Sequence, residues 1–105
     1  PRAPVDPVAG QIVSVYGDSV RYAGQNQVVV INRGQDHGVE VGHVMAVLKD
    51  GVRLVDRTDA RKATIRLPGE RNGLMIVFRT FDRLSYALVL GITDGIKVGD
   101  RFTNP

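Results

Sequence analysis

The stretch Gly34-Gln35-Asp36-His37-Gly38-Val39-Glu40-Val41-Gly42 returns without a gap as Gly91-Ile92-Thr93-Asp94-Gly95-Ile96-Lys97-Val98-Gly99. Glycines stand at places one, five and nine of both copies, and β-branched residues at places six and eight. Each copy follows an apolar run and leads into another. This is the signature of a structured turn between strands, used twice. Glycine reaches backbone conformations with φ > 0 that other residues reach only at a cost, so Gly38 and Gly95 are expected there. Val39 and Val41, like Ile96 and Val98, are expected to tuck under their turns. Gly42 and Gly99 then open the next strand. Gly34, Gly38, Gly42, Gly91, Gly95 and Gly99 are thus read as structural. A phosphate-loop reading fails, because no Gly-Lys-Ser/Thr follows and no helix is predicted. A membrane-helix reading fails on the flanking Asp36, Glu40, Lys97 and Asp100.

Outward from the repeat, the chain reads as strands. Among 105 residues, 17 valines and six isoleucines face seven leucines, and β-branched residues suit a pleated surface. No sustained 3.6-residue period predicts a long helix. Strands are expected over 11–16, with Ile12 and Ser14 on one face, then over 19–23 and 27–32. Others fall over 43–49, 52–55, 63–67, 74–81, 85–92 and 101–103. Turn signals separate them: Gly17-Asp18, Gly24-Gln25-Asn26, Asp50-Gly51, Pro68-Gly69 and Asp82-Arg83. Residues 52–55 are expected to pair back on 43–49 across Asp50-Gly51. The expectation is an all-β domain over residues 10–105, a small antiparallel barrel or sandwich with two similar glycine-rich turns. A barrel is preferred because closure removes exposed edges. Residues 1–9, with Pro1, Pro4 and Pro7, read as a proline-rich linker.

Composition excludes several chemistries. With no cysteine there is no disulfide framework, thiolate nucleophile or zinc finger. No apolar run approaches the roughly 20 residues of a membrane helix. The serines Ser14, Ser19 and Ser85 lack the context of a hydrolase nucleophile. Asp56 and Asp59 sit among Arg57, Arg61 and Lys62, which favour their ionised forms and argue against a general acid. His37 and His43 are six residues apart, beside Asp36 and Glu40. A metal site needs three or four converging ligands, so both are read as solvent-facing turn residues. No catalytic residue, metal or cofactor is assigned.

The charge has an address. The net charge is +3. Arg53, Arg57, Arg61, Lys62, Arg66 and Arg71 against Asp56, Asp59 and Glu70 account for all of it. Arg57, Arg61, Lys62 and Arg66 are candidate binding residues, since guanidinium forks take carboxylates and phosphates. No aromatic residue is interleaved there, which speaks against nucleic acid. Arg79 interrupts an apolar strand and suggests a buried or interface ion pair, with Asp82 and Asp94 as partners.

Longer runs carry a family resemblance. They are residues 10–18 and 22–34, Val55-Asp56-Arg57-Thr58-Asp59, Leu67-Pro68-Gly69-Glu70-Arg71, residues 77–83 and Ser85-Tyr86-Ala87-Leu88. Together they resemble the C-terminal region of proteobacterial LysM-containing proteins, over nearly the whole chain. The resemblance implies a periplasm-facing cell-envelope protein whose upstream LysM module binds peptidoglycan. It implies a non-enzymatic structural or interaction domain, accessory to that module, with a protein partner or homo-oligomer left open. It carries over no site residue. The alternative is a barrel that binds an anionic polymer or nucleic acid through residues 53–71.

Overall fold

The structure, a computed structural model, describes residues 1–16, 26–49 and 70–105, and the backbone of two further strands at 53–55 and 64–66. In chain order the strands are β1 (Gly10–Tyr16), β2 (Val28–Ile31), β3 (Val44–Lys49), β4 (Arg53–Val55), β5 (Thr64–Arg66), β6 (Glu70–Thr80), β7 (Ser85–Ile92) and β8 (Arg101–Thr103). A single 3-10 turn, Gln35–His37, is the only helical element among the described residues. Six strands close into an antiparallel barrel in the order β1-β2-β7-β6-β3-β8. The all-β barrel is as the sequence predicts.

The alternation of apolar residues decides what faces inward. Ile12, Val29, Ile31, Met45, Val47, Met75, Val77, Ala87, Val89 and Phe102 form the interior with Val39 and Ile96 from the two turns. Val13 is passed over in the β1–β2 ladder, between Ile12↔Ile31 and Ser14↔Val30. That bulge resets the alternation, as an extra unpaired residue must. Ile12 and Val15 therefore both reach the core, and not the expected pair Ile12 and Ser14.

The barrel has a pseudo-two-fold axis. One unit is β1, β2, the first turn and β3; the other is β6, β7, the second turn and β8. The third strand of each unit pairs with the first strand of the other. Ile12↔Ile31, Ser14↔Val30 and Val15↔Val29 have as twins Val77↔Ala87, Arg79↔Tyr86 and Thr80↔Ser85. Phe78 is the bulged twin of Val13. Met45↔Met75 has as its twin Phe102↔Gly10, two medium side chains against one large and none. The axis itself crosses the wall at Val30↔Tyr86 and again at Ala46↔Thr103. The step from Ala87 to Gly91 is one residue longer than that from Ile31 to Gly34, and the β6–β7 ladder passes over Leu90 there.

The turns differ at their start and agree at their end. In the first copy Gly34 opens the 3-10 turn, with its N–H donated to His37 Nδ1 at 3.0 Å. In the second copy Gly91 and Ile92 are still strand. Positive φ falls on Gly38 (84°), Gly42 (94°) and Gly99 (96°), and not on Gly95. Gly42 and Gly99 are third in four-residue turns, the place that takes φ > 0 in a type II turn. The fourth residue donates its N–H back to the first, His43 to Glu40 O and Asp100 to Lys97 O, each at 3.1 Å. Val39 and Ile96 are 1% and 0% exposed, but Val41 and Val98 are 57% and 58% exposed. The expectation that both members of each pair tuck inward is therefore corrected. The second turn residue points outward by geometry, and does so in both copies.

Two pairing expectations also change. β3 pairs with β6 and β8, whereas β4 pairs with β5. Residues 52–55 are therefore not the hairpin partner of 43–49. The turn signals at 17–18, 24–25, 50–51 and 68–69, and the strand at 19–23, lie outside the described residues.

Residues 1–9, expected as a linker, lie against the barrel. Arg2 forms a parallel bridge with His43, and Val8 joins the core. The Asn104 side chain accepts from Val8 N (2.9 Å) and donates to the carbonyl of Asp6 (3.2 Å).

Candidate interaction surface

Both faces of β2, β6 and β7 are apolar, and only one can line the barrel. The other gathers aromatic residues from β1 at one end of the chain and from the β6–β7 hairpin at the other. Tyr86 on β7 is the hub. Tyr16 on β1 lies 6.3 Å away between ring centroids, Phe78 on β6 lies 6.3 Å away, and Phe81 lies 5.2 Å away. Tyr16 and Phe81 meet Tyr86 edge to face, at 66° and 63°, an arrangement that aromatic pairs prefer, and Phe78 is tilted to it by 53°. Tyr16 and Phe81 are twins across the pseudo-two-fold axis, and Tyr86 sits on that axis. Beneath them Val30 faces outward and is still buried.

The cluster remains open to solvent. Tyr16 is 52% and Phe78 46% exposed, and Val13 on β1 and Leu90 on β7 are exposed as well. The bulges explain the exposure of Val13 and Phe78, since a bulged residue has no partner strand position to share. Arg79 is exposed and lies with its guanidinium 5.2 Å from the Phe81 ring centroid. That contact is worth about 0.5–1 kcal/mol at an exposed site. It replaces the ion pair expected with Asp82 or Asp94. The bulge at Phe78 turns Arg79 away from the core, and aromatic carbon supports it. Beside this edge the β6–β7 turn forms an open depression lined by Gln35, Asp36, Phe81, Asp82, Arg83 and Leu84.

The binding residues expected from sequence are not among the members of this face. Arg57, Arg61 and Lys62 are outside the described residues. Arg66 lies on β5, and its side chain is outside them too. The aromatic surface was missed because it joins Tyr16 of β1 to the β6–β7 hairpin, about 60 residues further along the chain. The available signal was the double-faced apolar pattern of 74–81.

His43 also needs correction. It is 1% exposed and not solvent-facing. Its Nδ1 accepts the Glu40 N–H at 3.1 Å. In the twin turn Asp100 Oδ2 accepts the Lys97 N–H at 3.0 Å. Each buried side chain caps its own turn. Burial holds the His43 imidazole below its ordinary pKa of 6.5, the Arg2 cation adds to this, and the Glu40 carboxylate opposes it. Among the described residues no three His, Asp or Glu side chains converge as metal ligands.

No protein-family model matches the chain, and no curated protein matches it. No helix among the described residues is long and apolar enough to cross a membrane.

Proposed function

We propose that this is a non-enzymatic interaction domain of a LysM-type cell-envelope protein. It faces the periplasm and is accessory to peptidoglycan binding by an upstream module. The sequence resemblance supports the family and the compartment. The exposed aromatic face around Tyr86 carries the interaction reading. The barrel interior is filled by its own side chains, Phe102, Met45 and Met75 foremost. Contiguous exposed apolar surface, by contrast, is where soluble domains meet partners. Aromatic residues and arginine are the side chains enriched at such contacts.

Retention on purified sacculi tests the proposal. The full-length protein is expected to be retained and this domain alone to wash off. In the full-length protein, Tyr16→Ser combined with Phe78→Ser is expected to reduce retention about tenfold, the loss of roughly one partner anchor. Both positions are exposed, so the barrel should stay folded. If the domain alone binds as tightly as the whole protein, it is itself the glycan binder and the accessory role is wrong. If the double variant is retained like the parent, the aromatic face is not the coupling surface.

A further inference from the structure

The N-terminal segment is held on β3 through the backbone of Arg2. Arg2 N donates to Gly42 O at 3.0 Å, and Val44 N donates to Arg2 O at 2.8 Å. His43 lies directly beneath this bridge. Because Nδ1 accepts from Glu40 N–H, the neutral ring carries its proton on Nε2. Nε2 is buried and has no hydrogen-bond partner among the described residues. The nearest acid is Glu40, with Oε2 3.6 Å away. The same oxygen lies 3.3 Å from Arg2 Nη2. Arg2 from the N-terminal segment and Glu40 from the turn are the charged groups acting on the ring. From β6 the contact is backbone, Val77 N donating to His43 O at 2.9 Å.

We infer that His43 is a pH-sensitive latch, which when neutral holds the N-terminal segment on β3 and when protonated releases it.

A second proton must enter at Nδ1, where it faces the Glu40 N–H. Two donors then point at each other, and the cap of the turn is lost. That turn presents the Gly42 carbonyl and the Val44 N–H to Arg2. The imidazolium also competes with Arg2 for the Glu40 carboxylate and places a second cation beside the guanidinium. All three effects push the same way. The Arg2–Glu40 pair is exposed, and such pairs hold weakly by themselves. Burial, the main cause lowering the His43 pKa, puts the release on the acid side of the usual imidazole range.

The test follows the His43 ring protons and the backbone heteronuclear NOE of Arg2 and Ala3 by NMR, on the whole chain from pH 7.5 to 4.5. The NOE values are expected to fall with the midpoint of the ring titration, below 6.5, while Met75 and Ala87 in the barrel wall stay rigid. His43→Asn keeps an acceptor for Glu40 N–H and cannot titrate, so Arg2 and Ala3 should stay ordered throughout. Arg2→Gln removes the neighbouring cation and keeps the backbone bridge, so both midpoints should move together to higher pH. Release at an unchanged midpoint in His43→Asn overturns the latch. So does an N-terminal segment that stays ordered while His43 titrates. Should His43→Asn fail to fold, midpoints that separate in Arg2→Gln overturn it as well.

Discussion

The turn at residues 34–42 and the turn at residues 91–99 share a spacing but not one set of reasons. Their last places are equivalent in conformation. Gly42 and Gly99 both hold positive φ, and each donates its N–H to the first strand of the other unit, Val77 O or Ile12 O, at 2.8 Å. His43 and Asp100 both cap a backbone N–H three residues back. The side chains differ in charge, an anionic Glu40 with a neutral His43 answered by a cationic Lys97 with an anionic Asp100. The geometry therefore requires an acceptor just after the last glycine, and not one particular residue. The first places are not equivalent. A Cβ on Gly34 would lie 2.3 Å from Phe81 O and 2.7 Å from Leu84 N, whereas Gly91 has nothing within 4 Å. One glycine permits backbone contact with the β6–β7 turn, and the other stands in open space.

Adding that Cβ in each copy should separate the two turns most widely. Gly34→Ala meets backbone, which cannot swing aside, and should cost about 2–3 kcal/mol by analogy with overpacking in a core. Gly91→Ala should fall within about 0.5 kcal/mol of the parent, as surface changes do. Urea denaturation of the two variants measures the contrast, and equal losses would contradict it.

At the ninth place the copies should instead behave alike. Gly42→Ala and Gly99→Ala each force a side chain into the left-handed region and should each cost about 1–2 kcal/mol. Gly38→Ala should cost a similar amount, but Gly95→Ala should not, because only Gly38 of that pair holds positive φ. Thermal melts of the four variants distinguish these outcomes.

The smallest effect distinguishes the caps by pH. The folded state lowers the His43 pKa from 6.5, so between the folded value and 6.5 the unfolded chain binds more protons. Stability from this group is complete above that window. It declines as pH falls through it and levels off below the folded value. His43→Asn should flatten the decline in a pH series of urea midpoints, and a slope that persists would assign the proton elsewhere.

The strands and the duplicated turn were legible because apolar alternation and glycine spacing are local. The two-fold relation of the ladders was only half legible. The repeat marks the turns, but the first strands of the two units share no obvious pattern, Gly10–Tyr16 against Glu70–Thr80. The burial of His43 was missed because one polar residue after a glycine reads as turn. Its role depends on Arg2, which is brought over it from the other end of the unit. The aromatic surface escaped for a related reason. Single bulged residues, Val13 and Phe78, change which face the following side chains join, and no spacing rule announces a bulge.

The β3–β6 ladder runs as far as Lys49↔Glu70, so the chain leaves the barrel and re-enters it at neighbouring points. The bulge just before that exit aims Asn72 inward, where its side chain grips the backbone N and O of Asp94 at 2.8 Å. The last rungs are thereby fastened by a side chain as well as by the ladder. In engineering terms residues 50–69 are a cassette. Because Lys49 and Glu70 are paired, replacing the segment by a two-residue hairpin turn is expected to keep these rungs, and the amide exchange protection of Val47 and Met75 would check it. All the net positive charge of the protein lies within or immediately beside that cassette, so the exchange would remove most of the basic excess and lower the isoelectric point.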